Sequence, residues 1–119
     1  MANKLFGRAT IVVDGQVLDT FRGASIDIGG VKRNPQPGAN STGGFTEELQ
    51  PSKVECEIQM DASLSLTALG DIENATVQFR CDTGQVYLVV GAYCAEPPTA
   101  TEGDGKVKMT FQGPAAVEA

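Results

Sequence analysis

Between Lys53 and Met60 polar and apolar residues alternate without a break, and this period of two constrains the chain more than any other feature. Only an extended strand sends alternate side chains to opposite faces. Val54, Cys56, Ile58 and Met60 therefore share one face and Glu55, Glu57 and Gln59 the other, which predicts a half-buried strand. The pattern then changes. Asp61-Ala62-Ser63 offers side-chain oxygens for a helix N-terminus, and Leu64, Leu66, Leu69 and Ile72 follow at roughly helical spacing around Gly70. A helix of about two turns is too short to stand alone in water, so it has to be held by packing on a sheet. Alternation resumes in Ala75 to Cys81, with Val77, Phe79 and Cys81 inward. Asp82-Thr83-Gly84 then turns the chain into Val86 to Val90, apolar on both faces, which predicts a strand covered on both sides.

The flanking segments extend this sheet. Arg8 to Val13 is a short apolar strand, and Asp14-Gly15 is a dipeptide that favours a two-residue hairpin turn into Val17-Leu18. Phe21 to Ile28 reads as a strand with Ile26 and Ile28 opposite Ser25 and Asp27. Glu96-Pro97-Pro98 interrupts the sheet, Lys106 to Gln112 alternates once more, and Ala115 to Ala119 is expected to fray. The sum is mainly β: a sandwich or barrel of about seven strands with one short helix against one side. A chain of 119 residues is long enough for one domain with its own core.

From Gly29 to Pro51 the composition shifts. Gly29-Gly30, Pro35, Pro37-Gly38, Gly43-Gly44 and Pro51 leave no room for a long helix or a central strand. A loop of this length inside a compact domain is either a loose surface excursion or a binding arm. Composition leaves both open. The segment opens basic, with Lys32 and Arg33, and closes acidic, with Glu47 and Glu48.

Chemistry is constrained by what is missing. The chain contains no histidine, which removes Ser–His and Cys–His nucleophile pairs and histidine metal sites. Its three cysteines have no paired spacing and read as reduced thiols, two of them core filler; no cofactor or metal is expected. No glycine-rich phosphate loop occurs, and no apolar run approaches the roughly 20 residues that span a bilayer. Met1 to Phe6 lacks the apolar core of a secretion signal, so Asn40-Ser41-Thr42 and Asn74-Ala75-Thr76 read as chance matches to glycosylation acceptors. A net charge of −6 argues against a protein that grips nucleic acid. Asp82-Thr83-Gly84 matches the signature of aspartic proteases, in which two copies each supply a carboxylate. Against it, the apolar-apolar-Gly element expected far downstream occurs only at Val89-Val90-Gly91, and a hairpin turn favours Asp and Gly for its own reasons. The expectation is no enzyme.

The hairpin at Asp14-Gly15, Asp27-Ile28-Gly29-Gly30 and Val31-Lys32-Arg33 form one set of distinctive segments. Leu64 to Leu69 leading into Glu73-Asn74-Ala75-Thr76-Val77, and the closing Lys106 to Gly113, form another. Together, over nearly the whole chain, they resemble the tail tube proteins of Mu-like contractile-tailed phages. The resemblance implies a single tail tube domain over 1–119, with 29–51 as a protruding assembly loop. It implies hexameric rings, stacked into the inner tube of a virion tail, assembled in the bacterial cytoplasm and used as a conduit for DNA ejection. The partners it implies are other copies of the chain, the sheath, the baseplate and tail terminator proteins, with the tape measure protein and DNA in the bore and no membrane. In that frame Ser25, Asp27, Glu55, Glu57 and Gln59 are expected to line the bore as an acidic wall, and Arg33, Phe45, Glu47 and Glu48 to contact other subunits. A ring-forming β-sandwich secretion or binding module would share the fold.

Overall fold

The computed structural model describes residues 3–18, 20–41, 43–60, 62 and 65–119. Among them the chain forms β1 (Ala9–Val13), β2 (Gln16–Leu18), β3 (Ser25–Asp27), β4 (Gly30–Gln36), β5 (Gly44–Gln50) and β6 (Ser52–Gln59). After α1 (Leu66–Gly70) come β7 (Ala75–Cys81), β8 (Val86–Cys94), β9 (Thr99–Thr101), β10 (Lys106–Gly113) and β11 (Val117–Glu118). The principal path runs β2-β1-β7-β8-β10-β6-β3, antiparallel throughout. β8 belongs to both walls of the sandwich: Val86 to Ala92 pair with β7, whereas Tyr93 and Cys94 pair with β10.

Period-two patterning puts the core between these walls. Ile11, Val13, Val77, Phe79 and Val89 point in from one wall, and Val54, Cys56, Ile58, Val107, Met109 and Phe111 from the other. Phe79 has no exposed surface and anchors the packing. At the β1–β2 turn Asp14 and Gly15 both have positive φ, 49° and 83°, as a primed two-residue hairpin requires. Asp14 also ties this turn to β7, since its Oδ1 accepts from Thr76 N at 2.9 Å. Ser52, buried at the start of β6, donates to the Pro114 carbonyl at 2.7 Å and so holds the ends of β6 and β10 together.

Four expectations change. The helix is a five-residue turn capped by Ser65, whose Oγ accepts from Ala68 N at 3.4 Å. The anticipated capping residues Asp61 and Ser63, together with Leu64 and Thr42, lie outside the described residues. Leu66, Leu69 and Ile72 do pack against the core. In β8 Val90 is 61% exposed, so the run that was expected to be covered on both sides is open to solvent at this position. The tail does not fray freely: Val117 and Glu118 pair with Leu88 and Tyr87, and Ala116 N donates to Ile28 O at 2.8 Å.

The fourth change concerns residues 29–51. They form a two-stranded hairpin, β4 with β5, separate from the main sheet and paired from Gly30↔Gln50 to Gln36↔Gly44. Pro35 is tolerated because each strand has an open edge where no ladder donor is needed. At the root Gly29 has φ 67° and passes so close to Gln50, Pro51 and Ser52 that a methyl group there would stand 2.6 Å from Ser52 N. Only glycine fits that crossing.

Candidate assembly surfaces

The outer face of β3-β6-β10 gathers every residue expected to line a bore. Ser25 lies opposite Glu55 and Asp27 opposite Lys53, while Glu57 faces Lys108 and Gln59 faces Lys106 on β10. Directly opposed residues of antiparallel strands share a face, so Ser25, Asp27, Glu55, Glu57 and Gln59 stand on one surface. Three lysines stand among them. Lys53 Nζ is 2.8 Å from Glu55 Oε1, and Lys106 Nζ is 3.7 Å from Glu57 Oε2. The hydrogen bond and charge of Lys53 hold the Glu55 carboxyl below its ordinary range, and Glu55 raises Lys53 in return. Three carboxylates, Asp27, Glu55 and Glu57, thus meet three lysines, Lys53, Lys106 and Lys108, so the strands themselves bring no net charge to this face, with Glu96 and Asp104 at its margins. The acidic wall expected from its carboxylates is not what it presents. The lysines that correct that expectation enter through pairing with β10 and through the near edge of β6 itself.

The residues expected to touch other subunits lie together on the arm. Arg33 opposes Glu47 across β4–β5, with Nε 3.9 Å from Oε1, and its guanidinium carbon lies 5.7 Å from the Phe45 ring centroid. Glu48 is on the reverse face, where its Oε2 accepts from Asn34 Nδ2 at 3.1 Å. Within one chain these four side chains contact the arm's own strands, and Phe45 and Leu49 remain exposed.

The Asp82 turn has a structural use. Asp82 Oδ1 accepts from Gly7 N at 3.2 Å, its amide donates to Arg8 O, and Lys4 Nζ donates to its carbonyl at 2.9 Å. The Gly7 hydrogen bond, seconded by Arg8 and Lys4, holds the carboxyl below the ordinary aspartate range. That fixes it as a charged tether for the N-terminal segment, whereas a protease dyad needs one carboxyl that keeps a proton at working pH. Among the described residues no group of three or more Cys, Asp or Glu is placed to hold a metal, and no helix is long and apolar enough to cross a membrane.

Two apolar surfaces escaped the reading of the sequence. One is a groove of about 610 Å³ beside the arm root, walled by Leu5, Phe6, Ile26, Ile28, Phe79 and Tyr87. The other lies on the outer side of β7–β8 and its neighbours, where Val17, Val90 and Val117 are exposed. Val90, in a run apolar on both faces, was the available signal for the second; the groove joins segments too distant in sequence to signal it.

A family model described as phage tail tube protein matches residues 2–118. The Mu-like prophage FluMu tail tube protein of Haemophilus influenzae is 35% identical over 109 residues, covering 92% of this chain and 91% of that protein. The tail tube protein of Escherichia phage Mu is 32% identical over 102 residues, 86% of each chain. Among solved structures, the cap terminating the anti-feeding prophage tube superposes with a TM-score of 0.71 at 10% identity, covering 100% of this chain and 93% of that one. Hcp1 of Flavobacterium johnsoniae superposes at 0.51 with 11% identity, covering 93% and 94%. At those identities the two structures speak for the fold alone. The relatives and the family model speak for more: this chain belongs to the phage tail tube protein family.

Proposed function

We propose that this tail tube protein forms hexameric rings that stack into the inner tube of a contractile tail and conduct DNA during ejection. The observation that carries the proposal is the arm. A hairpin of two seven-residue strands that lies apart from the main sheet, with its large apolar residues exposed, is marginal in water without further support. Contact with neighbouring copies supplies that support, so Arg33, Phe45, Glu47 and Glu48 are assigned to contacts between subunits. The sheet path also ends in two short edge strands, β2 and β3. Joining edges between copies closes a common barrel and removes strands that would otherwise aggregate.

The face carrying Ser25, Asp27, Glu55, Glu57 and Gln59 is assigned to the bore. Its lysines are matched by carboxylates, so it offers phosphate no net cationic stripe on which to release counterions. DNA and the tape measure protein would slide past such a wall. The sheath, baseplate and terminator are the partners outside and at the ends of the tube, in a virion assembled in the host cytoplasm.

Electron microscopy of the purified protein across a concentration series tests the assembly. Hollow tubes or six-fold rings are expected. Monomers at every concentration, even with a baseplate fraction added, would overturn it, and rings that carry a ligand but never stack would favour a secretion module. The double substitution Glu55→Lys and Glu57→Lys tests the bore. It adds four positive charges to a balanced face, so tubes should form while DNA passage slows; loss of tubes would move this face to an interface.

A further inference from the structure

The arm has two unlike faces. Cross-strand register places Val31 opposite Leu49, Arg33 opposite Glu47 and Pro35 opposite Phe45 on one of them. That face carries the arm's large apolar side chains: Val31 is 43% exposed, Phe45 58% and Leu49 87%. Val31 and Leu49 lie at the root, and Phe45 with Pro35 lies at the free end. A pair of strands with a single apolar face is stable only when that face is covered.

The same protein carries an apolar concavity that none of the described residues fills. The groove between the N-terminal segment and the open end of the sandwich holds about 610 Å³, enough for an aromatic ring and a proline. Phe6 and Ile28 in its walls are half exposed, and Phe6 rests edge-on against Phe79 at 5.9 Å. The arm of the same chain cannot fill it. Ile28 adjoins the arm root, whereas strands of seven residues at about 3.3 Å each carry the tip some 20 Å away. Charge complements shape. Lys4 lines the groove and Arg8 stands beside it with its side chain 84% exposed, while Glu47 lies two residues from Phe45 on the same face of the arm.

We infer that the tip of the arm, Phe45 with Pro35, docks into the Phe6–Ile28–Tyr87 groove of a second copy of this chain. The inference rests on the assembly proposed above and names the surface that receives the arm. The contact is heterologous: each copy offers its tip to one neighbour and its groove to another, so it propagates. Glu47, on the same face as Phe45, then meets Lys4 and Arg8 at the rim, and the contact weakens as salt rises.

Photo-crosslinking tests the contact. Protein in which p-benzoylphenylalanine replaces Phe45 is mixed at one part in ten with wild type, checked by electron microscopy and irradiated. The expected product is a covalent dimer on a denaturing gel, with residue 45 joined to peptides containing Leu5–Phe6, Ile28 or Tyr87. Ile28→Glu in the unlabelled chain should cut its yield at least ten-fold. Assemblies that give no dimer, or that join residue 45 elsewhere such as Val90 or Val117, overturn the docking and leave assembly standing. If wild type forms no assemblies and no dimer appears, both fail.

Discussion

The arm root offers a controlled comparison between two adjacent glycines. Gly29 and Gly30 both have positive φ, 67° and 97°. Alanine at either position adopts a left-handed backbone at a cost of about 1–2 kcal/mol. At Gly30 that is nearly the whole cost, because the nearest atom to an added methyl is Ala115 Cβ at 3.9 Å. At Gly29 the methyl meets Ser52 N at 2.6 Å, Pro51 C at 2.7 Å and Gln50 O at 2.8 Å. These are backbone atoms, and no side-chain rotation relieves them. The chain must move where it enters the arm, and Gly29→Ala is expected to cost about 3–5 kcal/mol, at the upper end of single-substitution effects. With a slope near 2 kcal/mol per molar, Gly29→Ala moves the urea midpoint down by roughly 2 M and Gly30→Ala by less than about 1 M. Urea unfolding followed by circular dichroism measures both. Because the displaced backbone leads directly into β4, Gly29→Ala should also misdirect the arm and impair assembly even where the domain is folded. Equal midpoints for the two variants would refute the close-approach reasoning.

Two further outcomes follow from the site geometry. Asp82 has a lowered pKa, so its tether is at full strength above the ordinary aspartate value and is lost as pH falls through the depressed one. The protection factor of the Gly7 amide, its exchange rate relative to the intrinsic rate at the same pH, should therefore fall on acidification and, at neutral pH, in Asp82→Asn; unchanged protection in the variant would dismiss the tether. Burial pushes the Cys56 thiol up to about 12, so at neutral pH a maleimide should label it only after unfolding, while the half-buried Cys81 and Cys94 label first. Labelling of Cys56 in the native protein would contradict its placement in the core.

Alternation in Lys53–Gln59 and Ala75–Cys81 was enough to place two strands and their inward residues, since a period of two has one conformational solution. Asp14-Gly15 was equally legible because both central positions of that turn require positive φ. The five residues assigned to the bore could be grouped for the same reason. Their charge could not, because Lys106 and Lys108 reach that face through pairing with β10, some fifty residues away in the chain.

Residues 29–51 mark the same boundary. Their glycines and prolines correctly ruled out a central strand, yet they do not rule out a hairpin whose edges are open, as at Pro35. Local sequence thus determined β6, β7 and their buried faces and the tight turn at Asp14-Gly15, because these depend on φ and side-chain period. Tertiary structure alone decided the charge balance of the β3-β6-β10 face, the groove beside the arm root and the exposure of Val90. Those depend on which distant segments are brought together, and which surfaces are left without a neighbour.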